Sequence, residues 1–125
     1  MLGDHSMDPV LLAMDLAAAR HFYHDLLGLE ILTESEEGIV FQSGDAALEV
    51  SKSTVGTKDT QTQASWRVPD LRAEVAELRD RGVKIEDYDE PGLKTDEDGI
   101  ADVGVAWVAY IVDPGKNTLA IVQLK

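Results

Sequence analysis

The sequence predicts an α+β protein built from two paired βαβββ modules. Three observations carry that prediction. Segments with helical apolar period alternate with short runs of strand composition. The same order of segments occurs twice, in halves that can be laid over one another. Neither half alone has enough apolar surface for a stable core, whereas the 125 residues together, 44% of them hydrophobic, do.

The first module is expected over residues 8–52. "PVLLAM" reads as a strand leading to Asp15, a good helix N-cap. "LAAARHFYHDLL" follows with helical period, and Gly28 ends it. Leu16, Ala19, Phe22, Tyr23, Leu26 and Leu27 fall on one arc and should pack on a sheet. His21 and His24 fall on the opposite arc beside Arg20 and Asp25. Their spacing suits a shallow surface metal clip, but the arc reads as a solvated face. "LEILTE", "GIVFQS" and "AALEVSK" are strands, the last two joined by the turn "SGD".

The polar stretch "STVGTKDTQ", residues 53–61, is the linker. The second module, 62–125, repeats the order. "TQASWRV" is a strand, Asp70 a cap, and "LRAEVAELRDR" a helix ended by Gly82. "VKIEDYD", "GVAWVAYIV" and "NTLAIVQL" are strands, with "DPGKN" as the turn before the last. Between them lies "EPGLKTDEDGIADVG", residues 90–104, which has no counterpart in the first half. A connection this long is either a solvated surface loop or a flap over a pocket. Residues 1–7 form a tail outside the repeat, and Met7 is a candidate natural start that would leave His5 without a role.

Charge and composition remove several function classes. The net charge of −13 leaves no basic stripe for nucleic acid or for an anionic membrane surface. There is no cysteine, hence no disulfide framework, thiolate ligand or cysteine nucleophile, which fits a reducing, cytoplasmic setting. No apolar run is long enough to cross a bilayer, and the N-terminus lacks the pattern of a secretion signal. Phosphate-loop glycines are missing, and no serine has a histidine placed to activate it. "DEDG" lacks the ligand spacing of a calcium loop.

The stretches "DLAAARHFYHDLLGLEIL", "VPDLRAEVAELRDRGVKIE" and "DPGKNTLAIVQ" resemble signatures of the vicinal oxygen chelate superfamily, which includes glyoxalase I, bleomycin-resistance proteins and extradiol dioxygenases. The resemblance runs from Asp8 to Gln123. It implies curved mixed sheets around a cleft, and relatives that are commonly homodimers, with modules pairing within or between chains. It also implies up to four metal-ligand positions, which fall here on Asp8, Glu49, Gln63 and Ala120. The superfamily's metal enzymes favour His, Gln and Glu there. Oxygen donors from Asp8, Glu49 and Gln63 suit Mg or Mn better than Zn, Fe or Ni.

Strand alternation from those four positions predicts the lining of the cleft. It gives Leu12, Met14, Glu49, Gln63, Ser65, Arg67 and Ala120; the resemblance to the superfamily adds Val108 and Tyr110 and implies that Trp66 and Trp107 turn toward the helices. Arg67 is placed either to hold a ligand carboxylate or phosphate or to pair with Glu49. Glu49 without a partner is a minor candidate for a general base. The expected function is metal-free binding of a small, partly apolar molecule. The alternative is a divalent-metal-dependent lyase, isomerase or dioxygenase, and a scaffold with a vestigial cleft is a third reading.

Overall fold

A computed structural model describes all 125 residues. In chain order the strands are β1 (Val10–Ala13), β2 (Glu30–Glu34), β3 (Gly38–Ser43), β4 (Ala46–Lys52), β5 (Thr62–Arg67), β6 (Asp89–Glu90), β7 (Leu93–Lys94), β8 (Ala101–Asp102), β9 (Ala106–Val112) and β10 (Thr118–Leu124). Helix α1 (Leu16–Arg20) continues as π-helix over His21–Leu26, and α2 spans Leu71–Asp80. A short 3-10 turn, Leu2–Asp4, lies exposed in the N-terminal tail.

Two four-stranded mixed sheets result, ordered β1-β4-β3-β2 and β5-β10-β9-β8. In each, the strand before the helix runs parallel to the module's last strand, and the other pairings are antiparallel. The helices begin alike. Asp15 accepts from the Ala18 amide and Asp70 from the Ala73 amide, both at 3.1 Å. They also end alike, on Gly28 and Gly82 with φ of 81° and 87°, conformations that favour glycine.

The two helices differ by one residue, since the interval from Asp15 to Gly28 is one longer than that from Asp70 to Gly82. The π turn absorbs it: the Leu27 amide bonds to the Phe22 carbonyl, five residues back. Within this wider turn the consecutive residues Phe22 and Tyr23 are both buried, with rings edge to face at 5.0 Å.

One predicted strand is absent. "VKIEDYD" was expected to form a strand, but Val83–Tyr88 belongs to no strand. Its link to β9 is the Glu86 amide bonding to the Tyr110 carbonyl at 2.9 Å. Farther along, that edge of β9 is taken by β8, delivered by the long acidic segment. Two pieces of chain share one edge, and neither makes a full ladder on it.

The core explains the module pairing. Leu11, Ala13, Ile39, Phe41, Leu48 and Val50 of the first sheet join Ala109, Ile111, Leu119 and Ile121 of the second in one cluster of 19 buried residues. Ala19, Phe22 and Tyr23 from the first helix, Leu71 and Val75 from α2, and Leu29, Val83, Ile85 and Ile100 from the connections complete it. Both modules therefore turn their helix-bearing faces toward a shared interior, and the opposite sheet faces look outward.

A polar node fastens the modules. Asp113 is buried and accepts from the Tyr23 hydroxyl at 2.5 Å, and from the backbone and side-chain nitrogens of Asn117, each at 2.8 Å. Asn117 Nδ2 also donates to the Leu12 carbonyl at 2.9 Å, and the Thr57 hydroxyl donates to Asn117 Oδ1 at 2.5 Å. First helix, first strand, linker and last turn thus meet at the Asp113–Asn117 pair. Burial, with the negative charge of Asp113 and the hydrogen bond to it, raises the Tyr23 hydroxyl far above its ordinary pKa.

Candidate functional site

The residues expected to line the cleft lie on the outward faces of the two sheets. Along β1, Leu11 and Ala13 point inward, at 3% and 2% exposed, while Val10, Leu12 and Met14 are 52%, 38% and 61% exposed. A strand with one wet face normally alternates apolar with polar residues. Here both faces are apolar, and the outer one is exposed. Glu49, the Cα partner of Val10 on β4, is half-buried beside it, and Asp8 lies exposed just before β1.

On the second sheet, Ala120 of β10 is opposite Ser65 of β5 and Tyr110 of β9. Gln63 sits where the β5–β10 register slips, between the pairs Thr118–Thr62 and Leu119–Ala64. Its amide nitrogen donates to the Gln61 carbonyl at 3.0 Å. Ser65 and Arg67 are exposed on this edge strand. Ala120 is 4% exposed, though outside the shared core. With Ala101 and Val108 it forms a small separate cluster, against which Leu93, Tyr110 and Val122 pack. The chain's own long segment covers the centre of this face.

That segment is tied down. Arg72 of α2 holds Asp98 at 2.8 Å and Asp96 at 3.0 Å, and Arg79 donates to the Asp98 carbonyl at 2.8 Å. Asp96 Oδ1 accepts from the Asp98 and Ile100 amides. The Ile100 amide, followed by Arg72, holds the Asp96 carboxyl below its ordinary pKa. Ile100 itself is in the main core. Near the hairpin β6–β7, the rings of Tyr88 and Tyr110 meet edge to face at 5.3 Å.

Within one chain the predicted lining is not gathered into one cavity. Leu12, Met14 and Glu49 belong to one outward face, and Gln63, Ser65, Arg67, Val108, Tyr110 and Ala120 to the other. Arg67 forms no ion pair with Glu49; neither side chain is in any salt bridge. Trp66 and Trp107 pack against the shared core, on the helix side.

The metal-ligand positions implied by resemblance offer two carboxylates, an amide engaged with its own backbone and a buried methyl group. Nowhere in the chain do three His, Asp or Glu side chains converge as a metal site requires. The set lacks imidazole, so it does not fit Zn, Fe or Ni, and its oxygen donors come from opposite-facing surfaces. The histidines of the first helix are occupied locally. His21 Nδ1 lies 2.9 Å from Asp25, whose carboxyl it holds below the ordinary range, and His24 Nδ1 donates to the Leu29 carbonyl at 2.8 Å.

Two mixed sheets, each from a βαβββ unit with its helix turned inward and its outer face carrying the candidate site, define a glyoxalase-type fold. The Glyoxalase/Bleomycin resistance protein/Dioxygenase superfamily matches the sequence over residues 4–120, and the chain belongs to that superfamily. No protein with curated function matches in sequence. Among solved structures, the glyoxalase family protein from Enterococcus faecalis superposes with TM-score 0.74 at 18% identity, covering 98% of this chain and 99% of that one. The bleomycin-binding protein of Streptomyces verticillus, complexed with copper(II)-bleomycin, gives TM-score 0.72 at 23% identity, over 97% of both chains. A lactoylglutathione lyase from Agrobacterium tumefaciens gives 0.66 at 23% identity, over 95% of this chain and 92% of that one.

Sequence reasoning missed two features: the burial of Ala120 under the long segment, and the anchoring of that segment to α2. The signal was present. Leu93 and Ile100 are apolar residues within an acidic stretch, and Arg72 and Arg79 lie two turns apart on one helix.

Proposed function

We propose that the protein binds a small, partly apolar anion in a cleft completed by a second copy of itself, without a catalytic metal. The observation that carries this reading is the outer row of β1, where Val10, Leu12 and Met14 stand exposed opposite an equally apolar inner row. A second copy offering its Gln63–Ser65–Arg67 row would place one apolar wall against one polar wall. Apolar area then supplies affinity, and a few polar groups supply orientation. Arg67 is the cation of that wall, unpaired in the chain, and suits a carboxylate or phosphate. The copper(II)-bleomycin complex of a structural neighbour supports binding as a function of this fold.

Isothermal titration of purified protein against a panel of aromatic carboxylates, their esters and their amines tests the proposal. The acids should bind with heat, and Arg67→Gln should weaken them by about 10-fold, the worth of one charged hydrogen-bonded contact. Acids that do not bind, or acid binding that ignores Arg67→Gln, would refute it. In parallel, Mg, Mn or Ni that binds stoichiometrically and is lost in Glu49→Ala would favour the metal-dependent lyase, isomerase or dioxygenase instead.

A further inference from the structure

A cavity lies on the opposite side of the sheets from the outward faces. It opens between the modules and has a volume of about 300 Å³. Its floor is Ile111 and Ile121, buried side chains of the second sheet, and its walls include Val68, Leu78 and the Trp66 indole. The Trp66 Nε1–H donates to the Ser43 hydroxyl at 2.8 Å, which spans the two modules at one end of the cavity and fixes the ring there. The one charged group in the lining is Glu74, in the first turn of α2. Glu74 is half-buried, and its carboxylate has neither an ion pair nor a hydrogen-bond donor. Its neighbours on the helix are differently placed: Arg72 is committed to Asp96 and Asp98, and Arg81 to Glu77 and the Leu26 carbonyl.

We infer that this crevice is a binding site for a small aromatic or alkyl amine. The apolar floor takes the hydrocarbon part, the indole offers a π surface, and Glu74 takes the ammonium. A cavity of this size suits one ring with a short side chain, at the low end of small-molecule sites. The charge selects the class: a lone carboxylate over an apolar floor, in a chain of net charge −13, attracts a cation and repels an acid. Its ligand preference is thus opposite to that proposed for the Arg67 wall. Because the ligand touches both modules, binding also stabilises their docking.

The test titrates phenethylamine, phenethyl alcohol and phenylacetate into isotopically labelled protein and follows backbone amide shifts. The amine should saturate with shifts centred on Gly28, Gly44 and the Trp66 indole, and the alcohol should bind the same place about 10-fold more weakly. Phenylacetate should not perturb these signals. Glu74→Gln should bring the amine down to the alcohol's affinity while leaving the alcohol unchanged. Arg67→Gln should leave amine binding intact, which separates this site from the outward-facing one. Absence of saturation, shifts that map elsewhere, or an amine preference that survives Glu74→Gln would each overturn the inference.

Discussion

Replacing Tyr23 by phenylalanine removes one oxygen from a contact that solvent does not reach. Tyr23 is 0% exposed and Asp113 4%, and the hydroxyl supplies one of three donors to that carboxylate. The ring keeps its packing against Phe22 at 5.0 Å and Phe41 at 5.4 Å, so the substitution leaves almost no cavity. The loss is therefore electrostatic: a buried charged acceptor is left one donor short, which costs about 2 kcal/mol. For a chain of this size that is a fall in Tm of roughly 8 °C. Urea unfolding near neutral pH should show a lower midpoint with unchanged slope. Made in an Asp113→Ala background, the same change should cost about 2 kcal/mol less, because its partner is already gone. A Tyr23→Phe variant as stable as the parent, or an equal cost in both backgrounds, would refute the node as the fastener between modules.

Further outcomes follow from the same contacts. Because the Tyr23 hydroxyl is raised above its ordinary 10.0, the unfolded chain loses that proton first as pH rises. Stability should be intact below about pH 10 and fall above it, and the part due to this residue should vanish in Tyr23→Phe, as alkaline melts will show. Gly115→Ala would set a methyl 2.6 Å from the Leu12 carbonyl, so it should destabilise by roughly 2–3 kcal/mol in chemical unfolding. Asp96 is held below its ordinary value, so its support for the long segment is present above about pH 4 and lost as pH falls through the folded-state value. Protection of the Ile100 amide against hydrogen exchange, taken relative to its intrinsic rate at each pH, should fall first on acidification, and Asp96→Ala should reproduce that loss at neutral pH.

The repeat was legible because its signals are local. Cap, apolar arc and stop glycine each depend on a few neighbouring residues, and Asp15, Gly28, Asp70 and Gly82 do what their types predict. The edge of the second sheet was not legible. Val83–Tyr88 has strand composition, yet whether it pairs depends on a competitor, β8, that arrives from nearly twenty residues away. The site divides in the same way. Alternation sets Leu12, Met14 and Ala120 apart from the shared core, where the structure also has them, since a strand's two faces follow from period alone. It could not show that Gln63 falls at a slip in register, or that Leu93 and Ala101 close over Ala120. Both are outcomes of long-range packing. The extra residue of the first helix was visible in the spacing of cap to glycine, but its resolution as a π turn depended on burying Phe22 and Tyr23 together.

The proposed function requires a second chain to cover the exposed outer face of the first sheet. Sedimentation of the parent and of Leu12→Glu, with ligand titrated into the same samples, measures that directly. The parent should sediment as a dimer that binds, and the variant as a folded monomer that does not. A parent that is monomeric and binds at one site per chain, or a Leu12→Glu protein that keeps both dimer and ligand, would contradict it.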